Sequence, residues 1–181
     1  PQLQALKAPA KTLVYCGGNR AGKSTLGAAL LTMHLTRQYP DCACHGPWVP
    51  EAKRYHRPLK AVIVATEFPI IERVIEPKLL ALLPQDWIAP SGMKRTPQGY
   101  LRRLVGKDGG VVDILSNEMD PMAFESADWD VAWIDEPTTR GRYTAIRRGL
   151  LDRQGQAILT FTPLVEPWMK EELLDKADDR A

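Results

Sequence analysis

The segment GGNRAGKST at residues 17–25 constrains this chain more than any other feature. It fits the pattern G-x-x-x-x-G-K-[ST], with Gly17, Gly22, Lys23 and Ser24 at the fixed positions. Before it runs TLVYC (12–16), which is short, apolar and β-prone. After it, from Ser24 to about Gln38, residues Leu26, Ala29, Leu30, Met33 and Leu35 recur at helical spacing. Strand, glycine turn and helix in this order form a loop whose successive N–H groups face phosphate oxygens. The helix adds its positive N-terminal end. Gly17, Gly18, Asn19, Arg20, Ala21, Gly22, Lys23, Ser24 and Thr25 are therefore expected to cradle the phosphates of ATP. In such a loop the Lys23 ammonium reaches the β- and γ-phosphates and the Ser24 hydroxyl ligates Mg²⁺.

A second motif completes the chemistry. DVAWIDEP (130–137) places Asp135 and Glu136 directly after a run that reads as a buried strand. An acid in this position organises Mg²⁺, and an adjacent carboxylate polarises the attacking water. Alone, two such acids are solvated turn residues; together with the phosphate loop they read as the metal-organising and catalytic pair. The neighbouring Glu136 favours hydrolysis of the nucleotide over phosphate transfer to a small molecule.

The remaining chain alternates between the two element types. LKAVIVAT (59–66) and QAILTFT (156–162) are continuous apolar runs typical of strands buried on both faces. YLRRLV (100–105) and GVVDILS (110–116) flank Lys107-Asp108-Gly109, a hairpin turn. Helices are expected over about 69–83 and 142–151, a long loop over 40–58, and a closing amphipathic helix from Glu166 that leads towards a linker. Strands alternating with helices predict an α/β fold with a mostly parallel sheet. The length of 181 residues suits one domain, residues 1–181. The absence of Met at Pro1 suggests a fragment or processed product. No apolar run spans a membrane and no leader is visible. Three cysteines are too few for a disulfide scaffold, which points to a reducing compartment.

GGNRAGKS, VAWIDEP and ILTFTPL together resemble the ATPase domain of the large terminase subunit of tailed bacteriophages, along nearly the whole chain. That resemblance implies a P-loop NTPase of the additional-strand type, in which an extra strand separates the phosphate-loop strand from the acidic one. It implies an ATP- and Mg²⁺-dependent motor that moves double-stranded DNA into a procapsid, in the cytoplasm of an infected bacterium. The implied partners are further copies in a ring on the capsid portal, the portal protein and the small terminase subunit. Carried over by position, Lys23 and Ser24 contact phosphate and Mg²⁺, and Arg20 reaches the γ-phosphate or braces the acidic pair. Asp135 organises Mg²⁺, Glu136 is the catalytic acid, and Thr160 and Thr162 before Pro163 form the coupling motif. Gln4 is the adenine-reading amide, with Gln2 as the alternative. Other P-loop DNA translocases or helicases, a small-molecule kinase and a non-hydrolysing assembly module are the competing readings.

Two departures from the family pattern stand out. MAFESADWD (122–130) contains no arginine where many terminases carry an Arg-Gly pair. A finger acting on a neighbouring subunit must then come from Arg140, Arg142, Arg147 or Arg148, with Arg147 and Arg148 the main candidates. No residues remain for the nuclease domain, so ATP hydrolysis without DNA cleavage is expected. Three basic clusters are candidates for gripping DNA phosphates: Lys53, Arg54, Arg57 and Lys60; Lys94, Arg95, Arg102, Arg103 and Lys107; and the arginines of 140–153. Net charge is only +2, so a solvated surface is the competing reading for each. Cys42, Cys44, His45 and His56 are cramped for one tetrahedral ion and read as incidental loop residues. Cys16 reads as a small core residue, and the five tryptophans as core or subunit-contact residues.

Overall fold

The computed structural model describes residues 2–8, 10–125, 127–162 and 166–175. The chain opens with a short helix, α1 (Gln2–Lys7), and β1 (Thr12–Cys16), followed by α2 (Lys23–Thr36). The expected long loop carries a small hairpin, β2 (Asp41–Cys42) and β3 (Gly46–Pro47), and a 3-10 turn at Glu51–Lys53. Next come β4 (Lys60–Ala65) and a continuous helical segment. That segment consists of α3 (Phe68–Ile70), a π-helical stretch Ile71–Ile75 and α4 (Glu76–Leu82). Three strands follow, β5 (Ile88–Arg95), β6 (Leu101–Gly106) and β7 (Val111–Ser116), and then β8 (Val131–Asp135). The chain continues as α5 (Arg140–Leu151), β9 (Gln156–Phe161) and α6 (Pro167–Met169), which runs into a π-helical turn at Lys170–Leu174. The rest of the expected closing helix, 176–180, lies outside the described residues.

Seven strands form one sheet in the order β1-β9-β8-β4-β7-β6-β5. Pairing is parallel from β1 to β7 across the sheet and antiparallel for β7–β6 and β6–β5. β9 therefore lies between the phosphate-loop strand β1 and the acidic strand β8, which is the additional-strand arrangement.

The sheet is buried on both faces, so its central strands are apolar at successive positions. Val131 and Trp133 of β8 point into one core, with Leu26, Leu30, Leu79 and Ile158. Ala132 and Ile134 point into the other, with Tyr143, Ile146 and Leu159. Gly27 lets α2 lie flat on the sheet: a Cβ there would fall 2.2 Å from Trp133 Nε1. At the N-terminal end of β8, buried Asp130 receives Arg57 Nη2, Arg153 Nε at 2.8 Å and the Lys60 N–H at 2.9 Å. Burial alone would raise this carboxyl. The hydrogen bonds from Arg153, Arg57 and Lys60 outweigh that and hold it below the usual carboxylate range.

Candidate active site

The site lies at the C-terminal ends of the parallel strands, where β1, β9 and β8 stand side by side. The register sets Cys16 beside Phe161, and Asp135 beside Thr160. The loop after β1 is tied to β9 by the Gly17 N–H, which donates to the Phe161 carbonyl at 3.2 Å. It then turns through left-handed Arg20 (φ 66°) and Gly22 (φ 77°) into the first turn of α2. Glycine adopts the second of these conformations without strain. Gly18, Asn19, Arg20, Ala21 and Thr25 form an exposed rim, whereas Lys23 is only 6% exposed.

The phosphate loop and the acidic pair meet directly. Ser24 Oγ donates to Asp135 Oδ2 at 3.0 Å. Lys23 Nζ lies 3.6 Å from Glu136 Oε1 and donates to the Gly18 carbonyl at 3.1 Å. Asp135 also accepts from the Thr160 hydroxyl at 2.7 Å, and Thr160 in turn accepts the Trp133 indole N–H at 2.8 Å. Burial raises the Asp135 carboxyl against the lowering effect of Thr160 and Ser24, and the Glu136 charge pushes the same way as burial. Glu136 sits in a left-handed backbone conformation (φ 68°), uncommon for a residue with a side chain. Its N–H donates to the Thr160 carbonyl at 2.8 Å, and its carboxylate accepts the Thr162 N–H at 3.0 Å and the Thr162 hydroxyl at 3.3 Å. Pro163 of the expected coupling motif lies outside the described residues.

The donor set fits a hard divalent cation. The buried Asp135 carboxylate and the Ser24 hydroxyl 3.0 Å from it supply the oxygen ligands that Mg²⁺ prefers.

A family model described as "Terminase large subunit, T4likevirus-type, N-terminal" matches residues 14–180. The chain belongs to this terminase family. Among solved structures it is similar to the large terminase of a thermophilic bacteriophage in two crystal forms. One has a TM-score of 0.65 at 13% identity, covering 99% of this chain and 41% of that one. The other has a TM-score of 0.65 at 16% identity, covering 99% and 43%. The same phage terminase in complex with ADP matches with a TM-score of 0.63 at 15% identity, covering 99% and 39%. This terminase chain thus spans about two fifths of the length of those structures. At these identities the likeness shows the fold. No curated protein matches the chain in sequence.

Other expected residues of this terminase domain fall in different places. Gln2 lies on the phosphate loop, its Nε2 3.5 Å from the Ala21 carbonyl, while Gln4 is exposed on α1. Arg147 and Arg148 are exposed on α5, with Arg147 over the Tyr143 ring at 5.9 Å. They lie towards the end of α5 that meets Trp129, whose N–H donates to the Gly149 carbonyl, and so stand away from the phosphate loop of their own chain. Arg140 pairs with Glu172, and Arg142 donates to the Met119 carbonyl.

The first basic cluster is engaged within the fold. Lys53 is buried on the Ala8 carbonyl, Arg54 pairs with Glu51, Arg57 with Asp130 and Lys60 with Asp128. In the second cluster, Arg95 pairs with Glu76 and Arg103 with Asp113, while Lys94, Arg102 and Lys107 are exposed. Trp129 and Trp133 are core residues, and Trp48, Trp87 and Trp168 are partly buried. Cys16 packs against the second core, and burial pushes its thiol up.

Sequence reasoning missed Trp133 as the partner of Thr160. It also missed Asn117, which joins the loops after β7 and β8 by donating to the Pro137 carbonyl and accepting from the Thr138 hydroxyl. The only signal in the sequence was position: both lie in or just beyond strands that end at the site.

Proposed function

We propose that this domain hydrolyses ATP and powers movement of double-stranded DNA into a procapsid. The observation that supports this reading best is the meeting of Lys23 with Glu136 at 3.6 Å and of Ser24 with Asp135 at 3.0 Å, at the ends of the strands. Ser24 and Asp135 would hold Mg²⁺. That ion supplies charge neutralisation on the β- and γ-phosphate oxygens. The loop N–H groups orient the triphosphate. Glu136, held on two sides by Thr162, accepts a hydrogen bond from the attacking water and aims it in line with the γ-phosphorus. Lys23 and Arg20 neutralise charge that develops on the transferring phosphoryl group. Gln2, which already contacts the loop, is better placed than Gln4 to reach a nucleotide.

Loss of the γ-phosphate changes what Lys23 and Glu136 contact, and Thr162 carries that change into the chain after β9. Thr160 keeps Asp135 fixed meanwhile. Arg147 or Arg148 supplies an arginine that acts on the nucleotide of a neighbouring copy in a ring on the capsid portal. Residues 1–181 serve as one ATPase domain, its last residues leading into a linker. The portal protein and the small terminase subunit are its partners, and the cytoplasm of the infected bacterium is its setting. Among the described residues no helix is long and apolar enough to cross a membrane.

The test is Mg²⁺-dependent phosphate release from ATP, measured alongside protection of DNA from nuclease inside procapsids. Both activities should disappear together in Glu136→Gln. Packaging that survives without turnover at this site would overturn the proposal.

A further inference from the structure

The hairpin formed by β2 and β3 brings together three of the four cysteine and histidine side chains in the loop between α2 and β4. Cys42 Sγ and Cys44 Sγ lie 3.3 Å apart. His45 Nδ1 lies 3.4 Å from Cys42 Sγ and 2.9 Å from Cys44 Sγ. His56 is not part of this group; its Nε2 pairs with Glu51 at 3.3 Å. The turn is built to converge. Cys42 stands opposite Gly46 in the antiparallel register, and Gly46 takes a left-handed conformation (φ 65°) that closes the loop. The His45 N–H donates to the Cys42 carbonyl at 3.2 Å. The base of the hairpin is fixed by the Trp48 N–H on the Pro40 carbonyl at 3.0 Å, and Val49 beyond it is fully buried. Lys7 Nζ of α1 donates to the His45 carbonyl.

We propose that Cys42, Cys44 and His45 form a zinc site, with two thiolates and one imidazole as ligands and the fourth position open to solvent. A tetrahedral zinc ion holds two thiolate sulfurs about 3.8 Å apart, and a sulfur and a nitrogen about 3.6 Å apart. Each pair in the hairpin needs to open by less than about 1 Å to reach that geometry. Cys44 and His45 are exposed and have room to make this movement. Sulfur and imidazole donors select zinc over the Mg²⁺ of the nucleotide site, which takes oxygen ligands. Two thiolates balance the ion's charge, so binding releases the thiol protons to solvent. The ion staples the hairpin whose turn Lys7 holds against α1, the helix that carries Gln2 to the phosphate loop.

The test uses the reduced, chelator-dialysed protein titrated with Co²⁺ as a spectroscopic substitute and then with Zn²⁺ in competition. One Co²⁺ per chain is expected, with thiolate charge-transfer and tetrahedral ligand-field bands that Zn²⁺ displaces. Cys42→Ser, Cys44→Ser and His45→Ala should each weaken binding about tenfold or more, while His56→Ala leaves it unchanged. Far-UV circular dichroism of each variant shows whether it is folded, and His45→Ala keeps both thiols for the comparison. A Co²⁺ spectrum that lacks thiolate charge-transfer bands, binding that is indifferent to these substitutions, or a Cys42–Cys44 disulfide in the protein under reducing conditions would overturn the site.

Discussion

The Thr160 hydroxyl donates to the Asp135 carboxylate at 2.7 Å across neighbouring parallel strands. A hydroxyl has one proton, and the Trp133 indole N–H occupies a lone pair of the same oxygen at 2.8 Å. The hydroxyl proton is left for the Asp135 carboxylate, which lies closer than the other acceptor in reach, the Ile134 carbonyl at 3.5 Å. Thr160→Val keeps the shape but strands a buried indole N–H and frees one carboxylate oxygen. The variant should lose about 1–3 kcal/mol of stability in urea denaturation. It should also need more Mg²⁺ for half-maximal ATP turnover.

Lys23→Ala removes the ammonium that lies between the Gly18 carbonyl and Glu136. Nucleotide binding or turnover should be abolished, as read by fluorescent-nucleotide titration and phosphate release. Normal hydrolysis would remove Lys23 from the phosphate site.

Asp135→Asn and Glu136→Gln should separate the two acids. Glu136→Gln keeps an oxygen for the Thr162 N–H, so ATP binding should persist while hydrolysis stops. In Asp135→Asn, metal-dependent turnover should be lost while the fold gains stability, on the order of 0.5–2 kcal/mol near neutral pH. The sign follows from the raised carboxyl of Asp135. The folded state binds this proton more tightly than the unfolded chain, so wild-type stability falls as pH rises from about 4 through the folded pKa. The advantage of Asp135→Asn should therefore vanish below about pH 4, which thermal melts across pH will show.

The far end of the sheet should behave oppositely. Asp130 is held below the usual range, and Asp128, bonded by Arg153 and Lys60, is brought down to about 2. Both contribute stability above the unfolded carboxylate pKa, and that contribution is lost as pH falls through their folded values. Acid unfolding should steepen between about pH 4 and pH 2, and Arg153→Gln should flatten that limb.

Arg147→Ala and Arg148→Ala should be tested in mixed assemblies with wild-type neighbours. Restored turnover in a mixed ring identifies an arginine acting across the subunit boundary. An unchanged rate in both variants removes this part of α5 from the mechanism.

Much of the fold was legible because burial writes itself into continuous apolar runs. β1, β4, β8 and β9 fall where TLVYC, KAVIVA, VAWID and QAILTF predict them. β5 was not legible: Ala89-Pro90-Ser91-Gly92 has no alternation, and an edge strand with a register shift tolerates a proline. α1 is too short to signal itself by periodicity. The phosphate loop was legible as a contiguous pattern. The contact between Ser24 and Asp135 was not, because it depends on which strand lies between β1 and β8. The internal partners of the first basic cluster were hidden for a related reason. Sequence shows the charge of Arg57 or Lys53 but not the buried Asp130 or Ala8 carbonyl that receives it.

The left-handed backbone at Glu136 sets selection for folding against selection for work. Glycine or asparagine would suit that torsion angle better than glutamate does. A deep mutational scan scored for abundance should therefore favour those two residues at position 136, while the same library scored for packaged genomes should reject them.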